Sequence, residues 1–183
     1  MGSIRIISGQ YRGRKIQVYD AEGLRPTTDR VKETLFNWLQ CDITGSRCLD
    51  LFSGTGSLSF EALSRYAGSV TMVELNKKSA ELIRENLRLL NISNAELIVG
   101  DAVKFAQKRN TREPYNIVFL DPPFRKGFLS KIAELLNNNA FLCNNALIYV
   151  EQEVELTTEL PENWTLLKSK KAGQVSFNLY RKD

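Results

Sequence analysis

Four consecutive residues, Asp121-Pro122-Pro123-Phe124, concentrate the groups that could do chemistry. They close an apolar run, Asn116-Ile-Val-Phe-Leu120, which reads as a buried strand. The two prolines stiffen the backbone and remove two N–H donors. What remains is a set of acceptors, the Asp121 carboxylate and the Pro122 carbonyl, suited to a substrate that donates two hydrogens, an amino group. The exocyclic amine of a base is a poor nucleophile, because its lone pair is delocalised into the ring. Two acceptors on its hydrogens favour a pyramidal nitrogen whose localised lone pair can attack in line. The ammonium product loses a proton readily, so no strong base is needed and catalysis becomes orientation and electrostatics. Phe124 offers a ring on which a base withdrawn from its stack can lie. The plainer alternative is a proline-bracketed strand end with Phe124 in the core.

The remaining chemistry is bounded by what is missing. The chain of 183 residues has no histidine, which removes the commonest general base and metal ligand. Cys41, Cys48 and Cys143 are odd in number and widely spaced, so neither a disulfide framework nor a zinc site is expected. None lies beside Asp121, which disfavours the thiolate route to methylation at cytosine carbon. We expect no metal, a reducing cytoplasm and, with charged and polar residues from Arg5 onward, no cleavable leader. No apolar run approaches the roughly 18 residues of a membrane span.

A second constellation lies upstream. Asp50-Leu-Phe-Ser-Gly-Thr-Gly56 joins a predicted strand to a predicted helix. Gly54 and Gly56 let the backbone approach a ligand and turn sharply. A dinucleotide loop would carry a third glycine where this chain has Ser59. The leading Asp50 would repel a pyrophosphate and suits a cationic ligand such as S-adenosylmethionine. Glu74 ends the next strand about 20 residues after the loop, where ribose hydroxyls are usually met. Asp101 follows the third strand, where its carboxylate can accept from an adenine amine and the N–H of Ala102 can add a contact. Glu74 or Asp101 alone is equally well read as favouring the start of the following helix; together with Asp50 at successive strand ends they favour a shared ligand.

These groups need a frame that brings strand ends together. From Cys48 to Val150, short apolar segments alternate with amphipathic helical ones: Cys48–Phe52, Val70–Glu74, Glu96–Val99, Asn116–Leu120 and Ala146–Val150 as strands, with helices between. The first of these helices should bury Leu58, Ala62, Leu63 and Tyr66, the second Ala80, Ile83, Leu87 and Leu90. The pattern predicts an α/β domain, a parallel sheet with helices on both faces and ligands at the carboxyl ends of its strands. Trp164–Lys168 and Val175–Tyr180 read as a closing antiparallel pair. Upstream, Ile4–Ser8 and Lys15–Val18 read as a hairpin turned at Gly9 and Gly13, followed by a helix capped by Thr28 or Asp29. We therefore divide the chain into an N-terminal basic hairpin, residues 1–23, and an α/β domain, 24–183, that would hold S-adenosylmethionine.

Charge is placed unevenly. Residues 1–32 hold seven basic and three acidic side chains and so carry the whole net charge of +4. A basic arm on a neutral body suits a polyanion. Arg12, Arg14, Lys15, Arg25 and Arg30 are the candidate RNA contacts, with pairing to Asp29, Glu33 or Glu22 as the alternative for Arg25 and Arg30. Arg25 or Thr28 is also placed to close over a cofactor or target base.

The acid-led glycine loop followed downstream by Asp-Pro-Pro-Phe resembles the amino-methyltransferase pattern of the seven-stranded, Rossmann-like class I methyltransferase fold. Arg5–Lys15, Leu24–Trp38, Glu61–Tyr66, Ala146–Glu151 and Lys171–Val175 are similar to the bacterial 16S rRNA (guanine(966)-N(2))-methyltransferase family, and the likeness runs nearly end to end. The resemblance implies N2 methylation of one guanine of 16S rRNA, in the small ribosomal subunit or an assembly intermediate, by a cytoplasmic monomer. It implies Asp121 and Pro122 as amine acceptors, Phe124 as the stacking residue, and Asp50, Gly54, Gly56, Glu74 and Asp101 as the cofactor set. Phe52 stands where many methyltransferases have glycine and is expected to line the methionine end. Alternatives are an adenine-N6 methyltransferase on DNA or RNA, a nicotinamide dehydrogenase, which Asp50 and Ser59 weaken, and a non-catalytic RNA-binding assembly protein.

Overall fold

The computed structural model describes residues 2–19, 27–123 and 127–183. A two-stranded antiparallel hairpin opens it, β1 (Gly2–Arg5) with β2 (Lys15–Val18). Helix α1 (Asp29–Trp38) follows, and Thr28 is its cap: its hydroxyl accepts from the Val31 N–H at 3.3 Å. The body then runs β3 (Arg47–Asp50), α2 (Ser57–Ser64), β4 (Ser69–Glu74), α3 (Lys77–Leu89), β5 (Ala95–Val99), α4 (Ala102–Gln107), β6 (Tyr115–Leu120), α5 (Phe128–Asn138) and β7 (Leu142–Glu153). A hairpin, β8 (Trp164–Ala172) and β9 (Val175–Lys182), completes it.

Seven strands form one sheet in the order β5-β4-β3-β6-β7-β9-β8. The first five are mutually parallel, and β9 inserts antiparallel between β7 and β8. The order reverses between β3 and β6, so the crevice of a doubly wound sheet opens beyond the carboxyl ends of those two strands. Side chains alternate between two cores. Cys48, Met72, Phe119 and Tyr149 face α1, α2, α3 and the first hairpin. Leu49, Val73, Val118 and Ile148 face α4 and α5. This is the predicted sheet with helices on both faces and a small hairpin beside it.

The hairpin is fastened to the body by buried polar groups. Ile6, Ile16 and Val18 are buried in the core shared with α1 and α2. Expected to be strand through Ser8, the chain ends β1 at Arg5, and cross-hairpin bonds stop after Ile6 because Ile7 and Ser8 have other partners. Their N–H groups donate to the Glu61 carboxylate at 2.9 and 3.1 Å. Asn86 on α3 clasps Gln17 of β2 in both directions, accepting from its N–H and donating to its carbonyl. Gly9 has φ +84°, and a Cβ there would lie 1.9 Å from the Ser64 carbonyl oxygen, so this approach is open to glycine alone. The boundary expected at 23/24 falls outside the described residues.

One buried position is corrected. Tyr66 is 56% exposed and does not belong to the packed face of α2. The helix ends at Ser64, and Tyr66 takes the left-handed conformation (φ 68°) of a Schellman stop. Its N–H returns to Leu63 and that of Ala67 to Ala62.

Candidate active site

Four carboxyl groups gather at the carboxyl ends of neighbouring strands. Register decides this. Asp50 pairs with Met72 on one side and Phe119 on the other, and Phe119 pairs with Tyr149. Two residues beyond each partner, on the same face by the period of a strand, stand Glu74, Asp121 and Glu151. All four therefore belong to the face that carries α1 and α2.

The glycine loop shapes one half. Gly54 and Gly56 both have positive φ, 55° and 79°. A Cβ on Gly56 would meet the Phe60 ring at 2.9 Å, so the turn into α2 closes tightly against its own helix. The Gly54 N–H donates to Glu74 Oε2 at 2.6 Å and the Asn76 N–H to Glu74 Oε1 at 2.7 Å, which aims the carboxylate across the loop. Asn76, rather than Glu74, caps α3. Asp50 is buried beneath the loop and accepts from the Ser59 hydroxyl at 2.7 Å. Where a dinucleotide loop has its third glycine, this chain carries the hydroxyl that holds its acid. Asp101 caps α4, accepting from the Lys104 N–H at 2.8 Å, so the helix-starting reading holds for it; Ala102 follows, buried. Phe52 stacks on Phe128 of α5, centroids 6.4 Å apart, bridging the loop to the helix after the proline pair.

Electrostatics set these acids apart. Burial pushes Asp50 up to about 7, with Glu74's charge adding and the Ser59 bond opposing. Glu74 is raised by burial against the pull of three backbone amides. Asp121 keeps part of its surface open, yet burial, then Glu151 and then Asp50 hold its carboxyl well above the usual range. Glu151 is raised by burial, opposed by the Tyr149 hydroxyl. Among the described residues no lysine or arginine forms a salt bridge with any of the four. Burial pushes the Cys48 thiol to about 12, so it is no nucleophile.

Such a site presents acceptors and negative potential to a ligand that is itself cationic and rich in donors. Asp121 and the buried Pro122 lie at its edge. Arg12, Arg14, Lys15 and Arg30 are exposed, on the hairpin and the first turn of α1. Phe124 and Arg25 lie outside the described residues. Sequence reasoning missed Ser59 as a support for Asp50, and the Tyr149–Glu151 pair, hydrogen-bonded at 2.9 Å. A polar residue at alternate positions of a strand so apolar was the signal available for Glu151. A cavity of about 260 Å³ lined by Asp42, Ser46, Asn116 and Asn145 sits at the opposite, amino-terminal edge of the sheet, away from all of these groups.

Comparison with known proteins gives the chain its family. The family model described as conserved hypothetical protein 95 matches residues 4–181. The ribosomal RNA small subunit methyltransferase D of Escherichia coli (strain K12) is 50% identical over 100% of this chain and 91% of its own length. The chain belongs to the ribosomal RNA small subunit methyltransferase D family. The relative of that name in Haemophilus influenzae is also 50% identical, over 98% of this chain and 94% of its own length. Among solved structures, the putative methyltransferase yhhF of Escherichia coli superposes with a TM-score of 0.93 at 49% identity, covering 100% of this chain and 99% of that one. SMU.776, a putative methyltransferase complexed with SAH, shares the fold at 20% identity, with a TM-score of 0.72 over 92% of this chain and 54% of that one. Membership of the methyltransferase D family makes this an enzyme of the class I methyltransferase fold and sets aside the dehydrogenase reading.

Proposed function

We propose that the protein transfers a methyl group from S-adenosylmethionine to the exocyclic N2 amine of guanine-966 of 16S rRNA, as a cytoplasmic monomer acting on the small subunit or an assembly intermediate. The observation that carries this is the placement of Asp121-Pro122 beside Asp50 and Glu74 on one edge of a methyltransferase sheet. The residues fit the cofactor: buried acids without a cationic partner among the described residues suit a ligand bearing an ammonium and a sulfonium, and the glycine turn gives the backbone room to approach it.

Asp50, Phe52, Gly54, Gly56, Glu74, Asp101 and Ala102 hold the cofactor, with Glu74 taking the ribose hydroxyls and Asp101 the adenine edge. Leu75, 69% exposed next to Glu74, adds an apolar surface for a flat ring. When bound, S-adenosylmethionine supplies an electrophilic methyl group on a positively charged sulfur. Asp121 and the Pro122 carbonyl accept the two amine hydrogens and turn the nitrogen lone pair toward that methyl. Asp121, whose ordinary ionisation is opposed by burial and by Glu151, is also placed to take the proton released by the product. Phe124 stacks on the base. Arg12, Arg14, Lys15, Arg25 and Arg30 meet phosphates, so hairpin residues 1–23 serve as an RNA-contact extension of the catalytic domain 24–183. No helix among the described residues is long and apolar enough to cross a membrane, and no three His, Cys, Asp or Glu among them are arranged to hold a metal ion.

The test uses tritiated S-adenosylmethionine with small subunits from a strain lacking the activity, beside naked rRNA and duplex DNA, and identifies the labelled nucleoside. N2-methylguanosine at one site, made on subunits and lost in Asp121→Ala, is the expected result. N6-methyladenine, or label mainly in DNA, would keep the amine chemistry and overturn the substrate. Cofactor binding without turnover on any substrate would favour an assembly protein that has lost catalysis.

A further inference from the structure

Glu151 takes no part in the reaction described above, yet it is built into the same edge. We propose that Glu151 is a specificity-determining residue: its carboxylate accepts the ring N1–H of the target guanine, beside the amine held by Asp121 and Pro122. The inference rests on the reading of Asp121 as the amine acceptor.

Three observations lead there. The first is register. Strands β6 and β7 are parallel neighbours in which Phe119 pairs with Tyr149 and Leu120 with Val150. The next residues, Asp121 and Glu151, therefore stand side by side on one face, about 4.8 Å apart along the ladder direction. The second is support. Tyr149 is fully buried and donates its hydroxyl to Glu151 Oε2 at 2.9 Å. That bond holds the carboxyl group through Oε2 and does not occupy Oε1. The third is isolation. Glu151 is 9% exposed and forms no salt bridge with lysine or arginine among the described residues. A buried carboxylate in that state is costly unless a donor meets it. A neutral side chain would satisfy the Tyr149 hydroxyl equally well, so the fold alone does not call for an acid here.

The chemistry of the base supplies the donor. On guanine, the N2 amine and N1–H are adjacent on the Watson–Crick edge, and both are donors. An acid beside the amine acceptors completes that edge. On adenine, the atom beside the amine is an unprotonated N1, whose lone pair a carboxylate repels. Physics that left guanine N2 and adenine N6 equivalent at Asp121 separates them at Glu151. A site built to accept a hydrogen bond rejects a base lacking the donor far more strongly than an apolar pocket rejects a change of size.

The experiment replaces the target guanine by 2,6-diaminopurine in reconstituted small subunits. This base keeps the N2 amine but presents an acceptor at N1. The wild-type protein should prefer guanine by about 100-fold or more in kcat/KM. In Glu151→Gln the amide can rotate to donate to N1 of diaminopurine, and the preference should shrink tenfold or more. Contacts to the 6-position are the same in both proteins, so the ratio of ratios reports position 1. SAH binding and thermal melting of the variant show whether the fold is intact. An unchanged base preference in a folded Glu151→Gln would overturn the inference, because a purely structural Glu151 would lower both activities alike. If the variant does not fold, the wild type decides alone: equal rates on the two bases would also overturn it. A wild-type protein that makes no N2-methylguanosine on the guanine subunits would instead overturn the proposed function.

Discussion

Two buried carboxyl groups meet helix α2, and they are treated in opposite ways. Glu61 is fully buried within it and accepts from the Ile7 and Ser8 amides and from Arg65 Nε at 2.9 Å. Asp50, just as deep, receives the Ser59 hydroxyl and the Phe52 amide, and it faces Glu74 rather than a cation. The first acid has its donors within the chain and fastens the hairpin to the body. The second, like Asp121 and Glu151, has no cation among the described residues, and its negative potential is left for a ligand. A buried charge that the fold satisfies stabilises the fold; one that it leaves short points to what the protein binds.

The sharpest way to break this contrast is to remove Glu61. Glu61→Ala leaves two amides and a guanidinium without their acceptor and should cost about 3–5 kcal/mol in urea unfolding; a loss under about 1 kcal/mol would reduce Glu61 to an ordinary side chain. At the other region the loss should fall on activity. Asp121→Ala should lower kcat by about 100- to 1,000-fold, the range for a preorganised hydrogen-bonding group, while its unfolding midpoint stays level or rises.

Asp50→Asn separates the two roles further. The amide can still accept from Ser59, so the ligand-free protein at pH 8 should melt no lower than wild type. S-adenosylmethionine affinity, read by calorimetry, should fall about 10- to 100-fold, the worth of a hydrogen bond to a charged group. An equal loss of stability and binding would mean Asp50 is structural, like Glu61.

Protons give a smaller effect of defined sign. The folded value of Asp50 is raised from 3.8 to about 7. Its protonated form therefore contributes stability that is complete below the ordinary value and lost as pH rises through about 7. A cationic ligand favours the ionised form. S-adenosylmethionine binding between pH 5 and 7 should release protons and tighten with rising pH, levelling off above 7. Calorimetry in buffers of different ionisation enthalpy reads the release, which should be smaller for S-adenosylhomocysteine, which lacks the sulfonium charge. The smallest expected change is on the hairpin's outer face. Arg12→Ala, Arg14→Ala and Lys15→Ala together should reduce the salt slope of subunit binding by about 2, at roughly 0.7–0.9 per phosphate contact. An unchanged slope would remove the phosphate role.

Much of the frame was legible because it rests on local rules. Strand and helix periodicity located the sheet, Thr28 and Asp29 were recognisable cap candidates, of which the structure uses Thr28, and two prolines after an apolar run marked a strand end. Errors came where a local signal has two outcomes. Tyr66 continued the apolar spacing of α2, but a Schellman stop turned it outward. Ile7 and Ser8 continued the β1 pattern, but Glu61, more than 50 residues away, took their amides.

From sequence alone came the residue types: a chain without histidine, an acid-led glycine loop, a proline-stiffened pair of acceptors, a basic N-terminal arm and an end-to-end likeness to one methyltransferase family. Those are properties of neighbours along the chain. Only the tertiary structure decided which acids are satisfied and which are left short, and that Glu151 stands beside Asp121. Both depend on strand register and long-range hydrogen bonds, because a carboxylate's energy is set by the groups around it in space, and the sequence leaves those partners unspecified.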